Sequence, residues 1–151
     1  MILVRAATAA DAEAMSDVLV ASITALCVED HQNRPDAVSR WLANKTPDSV
    51  RQMLASPQSR FLVALVNDEI AAVGCYSYAR EIRLNYVSPA HRFTGVSKML
   101  LRAMEVELGP GEATLTSTAT AYRFYRSMGW SDSAAVERYA GMVAYPMRKM
   151  L

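Results

Sequence analysis

The sequence predicts an α/β fold of the α+β kind, a mixed central sheet flanked by helices, in a single domain over residues 1–151. Three observations carry this. Over residues 84–108 a β-favouring run stops at Pro89, crosses the polar turn 90–95 and enters an amphipathic helix. In that helix Met99, Leu100, Ala103, Met104 and Val106 or Leu108 recur at spacings of three and four. Over residues 60–78 two apolar runs flank Asn67-Asp68-Glu69 and read as a buried hairpin. Earlier, Met15, Val18, Leu19, Ser22, Ile23 and Leu26 keep a helical spacing.

Taken in order, residues 2–5 form a short strand. Thr8 or Asp11 supplies an oxygen that caps the following helix, which runs to about Cys27. Residues 29–35 are polar and end on a proline, which predicts a loop. Asp36 caps a second helix carrying Val38, Trp41 and Leu42. Thr46-Pro47-Asp48 opens a third, with Pro at its first position and Val50, Met53 and Leu54 on one side. The hairpin strands follow, and Gly74 in the second marks a bulge or a close backbone approach. Residues 81–87 are the next strand, leading into the turn and the long helix that Gly109-Pro110-Gly111 closes. Then come a strand over 113–117, a short helix over 120–128 capped by Gly129, and two terminal strands over 136–140 and 142–147.

Composition narrows the function. A hydrophobic content of 52% is ample for a core, and a net charge of +1 gives no reason to expect nucleic acid or an anionic membrane surface as partner. Cys27 and Cys75 are far apart and form no CxxC, so reduced thiols and a cytoplasmic location are expected. His31 and His91 have no ligand spacing, so no metal site is expected. Neither a signal peptide nor an apolar stretch of bilayer length is read.

The turn carries the chemistry. Backbone N–H groups gathered between a strand and a helix N-terminus suit a phosphate, and the helix dipole reinforces them. Gly95 permits close approach, Ser97 is small, and Arg92 adds a positive charge. From spacing alone, Gly95 either serves such a ligand or merely shapes the turn. The stretch Val87-Ser88-Pro89-Ala90-His91-Arg92-Phe93-Thr94-Gly95-Val96-Ser97 resembles the acetyl-CoA pyrophosphate loop of the GNAT (Gcn5-related N-acetyltransferase) superfamily, V-x-P-x-x-[R/Q]-x-x-G-x-[G/A]. Ser97 stands where Gly or Ala is usual. A second stretch, residues 117–130, resembles the GNAT signature N-x-x-A-x-x-F-Y-x-x-x-G-F through Ala121, Phe124, Tyr125 and Gly129, with Trp130 for Phe and Thr118 for Asn. Read without the resemblance, Tyr122, Phe124 and Tyr125 are aromatic packing on a short helix.

The resemblance covers nearly the whole chain and matches least between Cys27 and Arg60, where the family shapes its acceptor site. It implies the GNAT acyl-CoA N-acyltransferase fold and an acetyl-CoA-dependent N-acetyltransferase acting on a primary amine of a small molecule or protein. The alternative is a catalytically silent acyl-CoA-binding regulatory module. It further implies that Val87, Arg92, Phe93, Thr94, Gly95, Val96, Ser97, Thr118 and Tyr122 bind acetyl-CoA, with the Val87 N–H at the thioester carbonyl. Tyr125 takes the family's general-acid slot, since a phenol is protonated at neutral pH. Glu81 resembles the base glutamate of the histone acetyltransferase branch. Period two places it on one face with Arg83, Asn85 and Val87, and its other reading is a solvated charge paired with Arg80 or Arg83. His31 is a second candidate base, His91 decorates the loop, and Trp41 lines the acceptor cleft or the core. Homodimers are common in the family, and the terminal strands are the expected interface.

Overall fold

The computed structural model describes residues 1–151. Strand β1 (Ile2–Ala6) turns through a 3-10 corner into α1 (Ala12–Leu26). Asp11 holds that corner. Its carboxylate accepts from the Arg5 guanidinium at 2.8 and 3.0 Å and from the Thr8 N–H at 2.8 Å. The Arg5 bond above all, working against the cost of burial, draws the Asp11 carboxyl down to about 2.

Residues 29–35 depart from the expected loop. Val28–His31 forms a helical turn, α2, closed by Gln32 and Asn33 at φ of 52° and 57°. The stretch shows no apolar period because its inward groups are polar: Asp30 and His31 are 5% and 0% exposed. Helices α3 (Pro35–Leu42) and α4 (Pro47–Leu54) both carry Pro in the first turn, and the Thr46 hydroxyl caps α4 from the Ser49 N–H at 3.1 Å.

Strands β2 (Ser59–Val66), β3 (Glu69–Ser77) and β4 (Glu81–Val87) run antiparallel. Helix α5 (Val96–Leu108) then crosses back to β5 (Glu112–Thr118), and α6 (Tyr122–Ser127) precedes β6 (Ser131–Asp132), β7 (Glu137–Tyr139) and β8 (Met142–Met150). The sheet order is β1-β2-β3-β4-β5-β8-β6, with β7 pairing β8. α6 starts two residues later than its apolar pattern suggests, because Thr118 to Ala121 are held in a turn by side chains. β8 extends to Met150 along the whole of β5.

Each face of the sheet has its own core. On one, α5 lays Leu100, Leu101 and Met104 against Leu62, Ala64, Ala72 and Ile82. These three helix side chains are fully buried, each contributing roughly 1.5–3 kcal/mol of transfer free energy. Gly74 is the close approach, since a Cβ there would lie 3.0 Å from Met104 Cε. On the other face, Met15, Val18 and Leu19 of α1 and Val50 of α4 cover Phe61, Val63, Val73 and Cys75.

Two features of β4 position the site. First, Arg83 has no partner in the β3 ladder and forms a bulge. Ile82 therefore packs under α5, whereas Leu84 and Tyr86 pack under α1. Second, β4 and β5 pair in parallel only at Glu81–Thr114 and Ile82–Leu115. Beyond these pairs they splay. No helix is long and apolar enough to cross a membrane.

Candidate functional site

A cavity of about 260 Å³ fills the splay. The end of β4, the turn into α5, the end of β5, α6 and the last turn of α1 line it. None of its lining residues is acidic.

The turn into α5 presents unused donors. The backbone N–H groups from Phe93 through Lys98 make no hydrogen bond within the chain, and the first helical bond runs from Met99 N–H to Gly95 O at 3.1 Å. Gly95 makes this possible at φ 86°, a conformation that disfavours any Cβ, and a Cβ there would meet nothing within 4 Å. Phe93, at φ 64°, projects outward at 90% exposure, with the Arg92 guanidinium 4.6 Å above its ring. The Thr94 hydroxyl donates to His91 O at 2.5 Å and braces the turn. His91 lines the same cavity, and its Nδ1 is buried without a partner.

On β4, the Ser88 N–H donates to Ala71 O on β3 at 2.7 Å. Alternation along the strand turns the Val87 N–H the other way, into the splay. Tyr125 enters from α6. It is 6% exposed, and burial pushes its hydroxyl well above the usual phenol value, against a smaller opposing effect of the Asn85 amide. Phe124 and Trp130 fix its ring edge-on, at 5.3 and 6.2 Å between centroids.

The opposite wall is set by a residue that the sequence reading passed over. Asp30 is buried, and its carboxylate accepts from the Ala119 N–H at 2.7 Å, from the Thr120 N–H at 3.2 Å and from the Thr120 hydroxyl. It latches α2 to the end of β5. Thr118 belongs to the same turn: it lines the cavity, but its hydroxyl oxygen accepts from the Ala121 N–H at 3.1 Å, a local cap. No sequence signal marks Asp30, because its partners lie about ninety residues away. Cys27 also lines the cavity. Burial first, and Asp30 second, push its thiol up to about 12, so it is not a thiolate at neutral pH.

Val87, Arg92, Phe93, Thr94, Gly95, Val96, Ser97, Thr118 and Tyr125 thus converge on one cavity. Glu81 and Tyr122 do not line it. Glu81 pairs with Arg83 at 3.8 Å, and the bulge at Arg83 shifts the phase of the strand, so Glu81 and Val87 do not share a face as strict period two requires. Tyr122 stacks on Tyr145 at 4.3 Å and its hydroxyl donates to Asp132 at 3.0 Å, outside the cavity. His31 has no free nitrogen: Nδ1 accepts from the Asn33 N–H at 3.0 Å and Nε2 donates to Ile23 O at 2.8 Å. It packs edge-on to Trp41 at 6.1 Å.

The family model described as "Acetyltransferase (GNAT) domain" matches residues 28–151. This chain belongs to the GNAT acetyltransferase family. No curated protein matches it. Solved structures share the GNAT fold at low identity. A GCN5-related N-acetyltransferase from Rhodopseudomonas palustris has 20% identity and a TM-score of 0.86, covering 99% of this chain and 95% of that one. The PaiA N-acetyltransferase of Thermoplasma acidophilum, in complex with coenzyme A, has 17% identity and a TM-score of 0.75, covering 100% and 99%. YncA from Salmonella typhimurium, a structure with acetyl-CoA, has 17% identity and a TM-score of 0.64, covering 99% and 93%.

The GNAT cavity of this chain suits an acyl-CoA. Its unpaired N–H row, the Arg92 and Lys98 cations and the lack of a lining carboxylate fit a diphosphate. Leu26, Val87 and Phe124 offer an apolar passage for the arm beyond it.

Proposed function

We propose that this chain transfers the acetyl group of acetyl-CoA to a primary amine of a small molecule or protein. The observation that carries the reading is the row of partnerless N–H groups from Phe93 to Lys98, opening on the same cavity as the buried Tyr125 hydroxyl. The row holds the diphosphate, with Gly95 allowing the approach and Arg92 screening the charge. The Val87 N–H faces the thioester oxygen, where negative charge builds as the amine nitrogen bonds to the carbonyl carbon. The carbon–sulfur bond then breaks, the sulfur leaves with a proton from Tyr125, and Tyr125 regains a proton from water. The phenol is protonated at neutral pH and donates as charge builds on the sulfur. The amine's own proton passes to water, since Glu81 stands outside the cavity. A regulatory acyl-CoA-binding module has no need of a buried hydroxyl at the thioester.

The test is a mass-spectrometric screen of amines, peptides and aminoglycosides with acetyl-CoA, run beside an assay for released CoA. Acetylation of an amino group with matching CoA release supports the reading. Tight acetyl-CoA binding with no acetylated product across the panel overturns it in favour of the silent module.

A further inference from the structure

A second cavity, about 150 Å³, adjoins the first at the end of β5. Thr118 lines both. Two side-chain pairs also bridge them. Asp30, in the wall of the second, accepts from the Thr120 N–H at 3.2 Å, and Thr120 lines the first. Tyr86 lines the first and Trp41 the second. Burial pushes the Tyr86 hydroxyl well above the usual phenol value, and the Trp41 indole N–H, bonded to it, is a smaller opposing effect. The shared residue stands beside the reacting centre. Leu115 pairs with Ile82, so three residues along β5 and four along β4, one of them the bulged Arg83, bring Thr118 level with Tyr86. The next residue is Val87, whose N–H the thioester oxygen meets.

The ladder explains the lining. Thr118 pairs with Ala144 and Tyr139 with Met142. Paired residues share a face, and alternation then puts Thr118, Ala144, Met142 and Tyr139 on one side of the sheet. Asp30 of α2 and Trp41 of α3 cover that side. His31 holds the Trp41 indole edge-on at 6.1 Å. Polar groups here are already engaged. Asp30 is the one charged residue in the lining, and Ala119 and Thr120 donate three hydrogen bonds to it, which use about three of a carboxylate's four lone-pair positions. The Ser117 hydroxyl donates to Thr118 O at 2.8 Å. No cation lines the cavity; Arg34, at the turn between β7 and β8, donates to Ala140 O at 3.4 Å instead. What remains open is apolar surface: Trp41, Tyr139, Met142, Val143 and Ala144. Tyr139 is 72% exposed at its rim, an aromatic ring without a cover. An apolar cavity of about 150 Å³ takes a benzene ring.

We propose that this second cavity receives an aromatic ring of the acceptor, so that the preferred substrate is a small primary amine carrying an uncharged aryl group on a short linker. This rests on the acetyl-transfer reading. The reaction is the one given above: the amine nitrogen gains the acetyl carbon and gives up a proton, and the sulfur gains one as its bond to that carbon breaks. An anionic group in the ring's place would meet the Asp30 carboxylate, and a second ammonium would find that carboxylate engaged.

Four amines test it: 2-phenylethylamine, ethylamine, β-alanine and 1,4-diaminobutane. The wild-type enzyme is expected to favour 2-phenylethylamine over each of the others by about tenfold or more in kcat/KM, mostly through KM. Tyr139→Ala removes an exposed wall of the cavity and Ala144→Leu fills it, and each should collapse that preference. Calorimetric titration of 2-phenylethylamine into protein saturated with CoA gives a readout independent of turnover. Binding to wild type and not to Tyr139→Ala, with no acetylation from acetyl-CoA, keeps the aryl site and overturns acetyl transfer. Equal acetylation of all four amines overturns the aryl site and keeps acetyl transfer, and so does a preference for β-alanine or 1,4-diaminobutane. A preference for 2-phenylethylamine that survives in both variants also overturns the site, as does the absence of both binding and acetylation.

Discussion

The turn at residues 92–98 and the turn at residues 118–121 that Asp30 latches both line one cavity but are built in opposite ways. The turn is a continuous piece of chain whose function lies in its backbone: N–H groups left free by a glycine at φ 86° and a helix that starts without a side-chain cap. The latch joins α2 to the end of β5, and its function lies in one buried carboxylate that satisfies donors far away in sequence. A backbone device leaves donors unpaired for a ligand. A side-chain device consumes its own donors and gives rigidity. The former is tuned by conformation, the latter by the identity of one side chain, and substitutions should separate them.

The largest effect is expected at Tyr125. Tyr125→Phe keeps the ring packing and should lower kcat by about 10²–10⁴-fold, with acetyl-CoA affinity and melting temperature near wild type. Because burial raises the pKa of this group, its protonated form persists as pH rises. The rate should not fall on the alkaline side through loss of this proton until above about pH 10. A wild-type rate in Tyr125→Phe, with chemistry rate-limiting, makes the residue packing only.

Next is the latch. Asp30→Ala leaves the Ala119 and Thr120 N–H groups buried without their acceptor and should cost about 2–4 kcal/mol in chemical denaturation. Asp30→Asn retains an acceptor and should cost less. Equal, near-zero losses would show that the turn at residues 118–121 stands unaided.

The turn should respond through binding. In Gly95→Val the side chain has open space but a forbidden backbone conformation, so stability falls by about 1–3 kcal/mol and acetyl-CoA binding weakens about tenfold or more. Gly95→Asn tolerates positive φ and separates strain from crowding of the ligand. If both variants bind acetyl-CoA like wild type, the turn is not the phosphate site.

The smallest effect belongs to Glu81. Its partly exposed pairing with Arg83 is worth little, and Glu81→Gln should change kcat by no more than about twofold at any pH. A drop that deepens at low pH would restore Glu81 as the base.

This contrast also explains what was legible in the sequence. The hairpin, the long helix, Gly95 and Tyr125 are local: period, glycine position and neighbouring motif residues sit within a few positions of each other. The single-residue bulge at Arg83 was invisible, and it undid the period-two argument for Glu81. Asp30 and His31 looked like loop polarity because their burial depends on partners in other elements, Thr120 for one and Ile23 for the other. Thr118 lines the cavity, and its oxygen also accepts from the Ala121 N–H, a local cap that only the folded turn reveals.

The central claim is that the donors from Phe93 to Lys98 are free in order to receive acetyl-CoA, and amide hydrogen exchange reads it directly. With acetyl-CoA added at a concentration where calorimetry shows saturation, exchange at residues 93–98 should slow markedly, while the latch residues 119 and 120, already bonded to Asp30, change little. Saturating acetyl-CoA that leaves exchange at residues 93–98 unaltered would contradict the account.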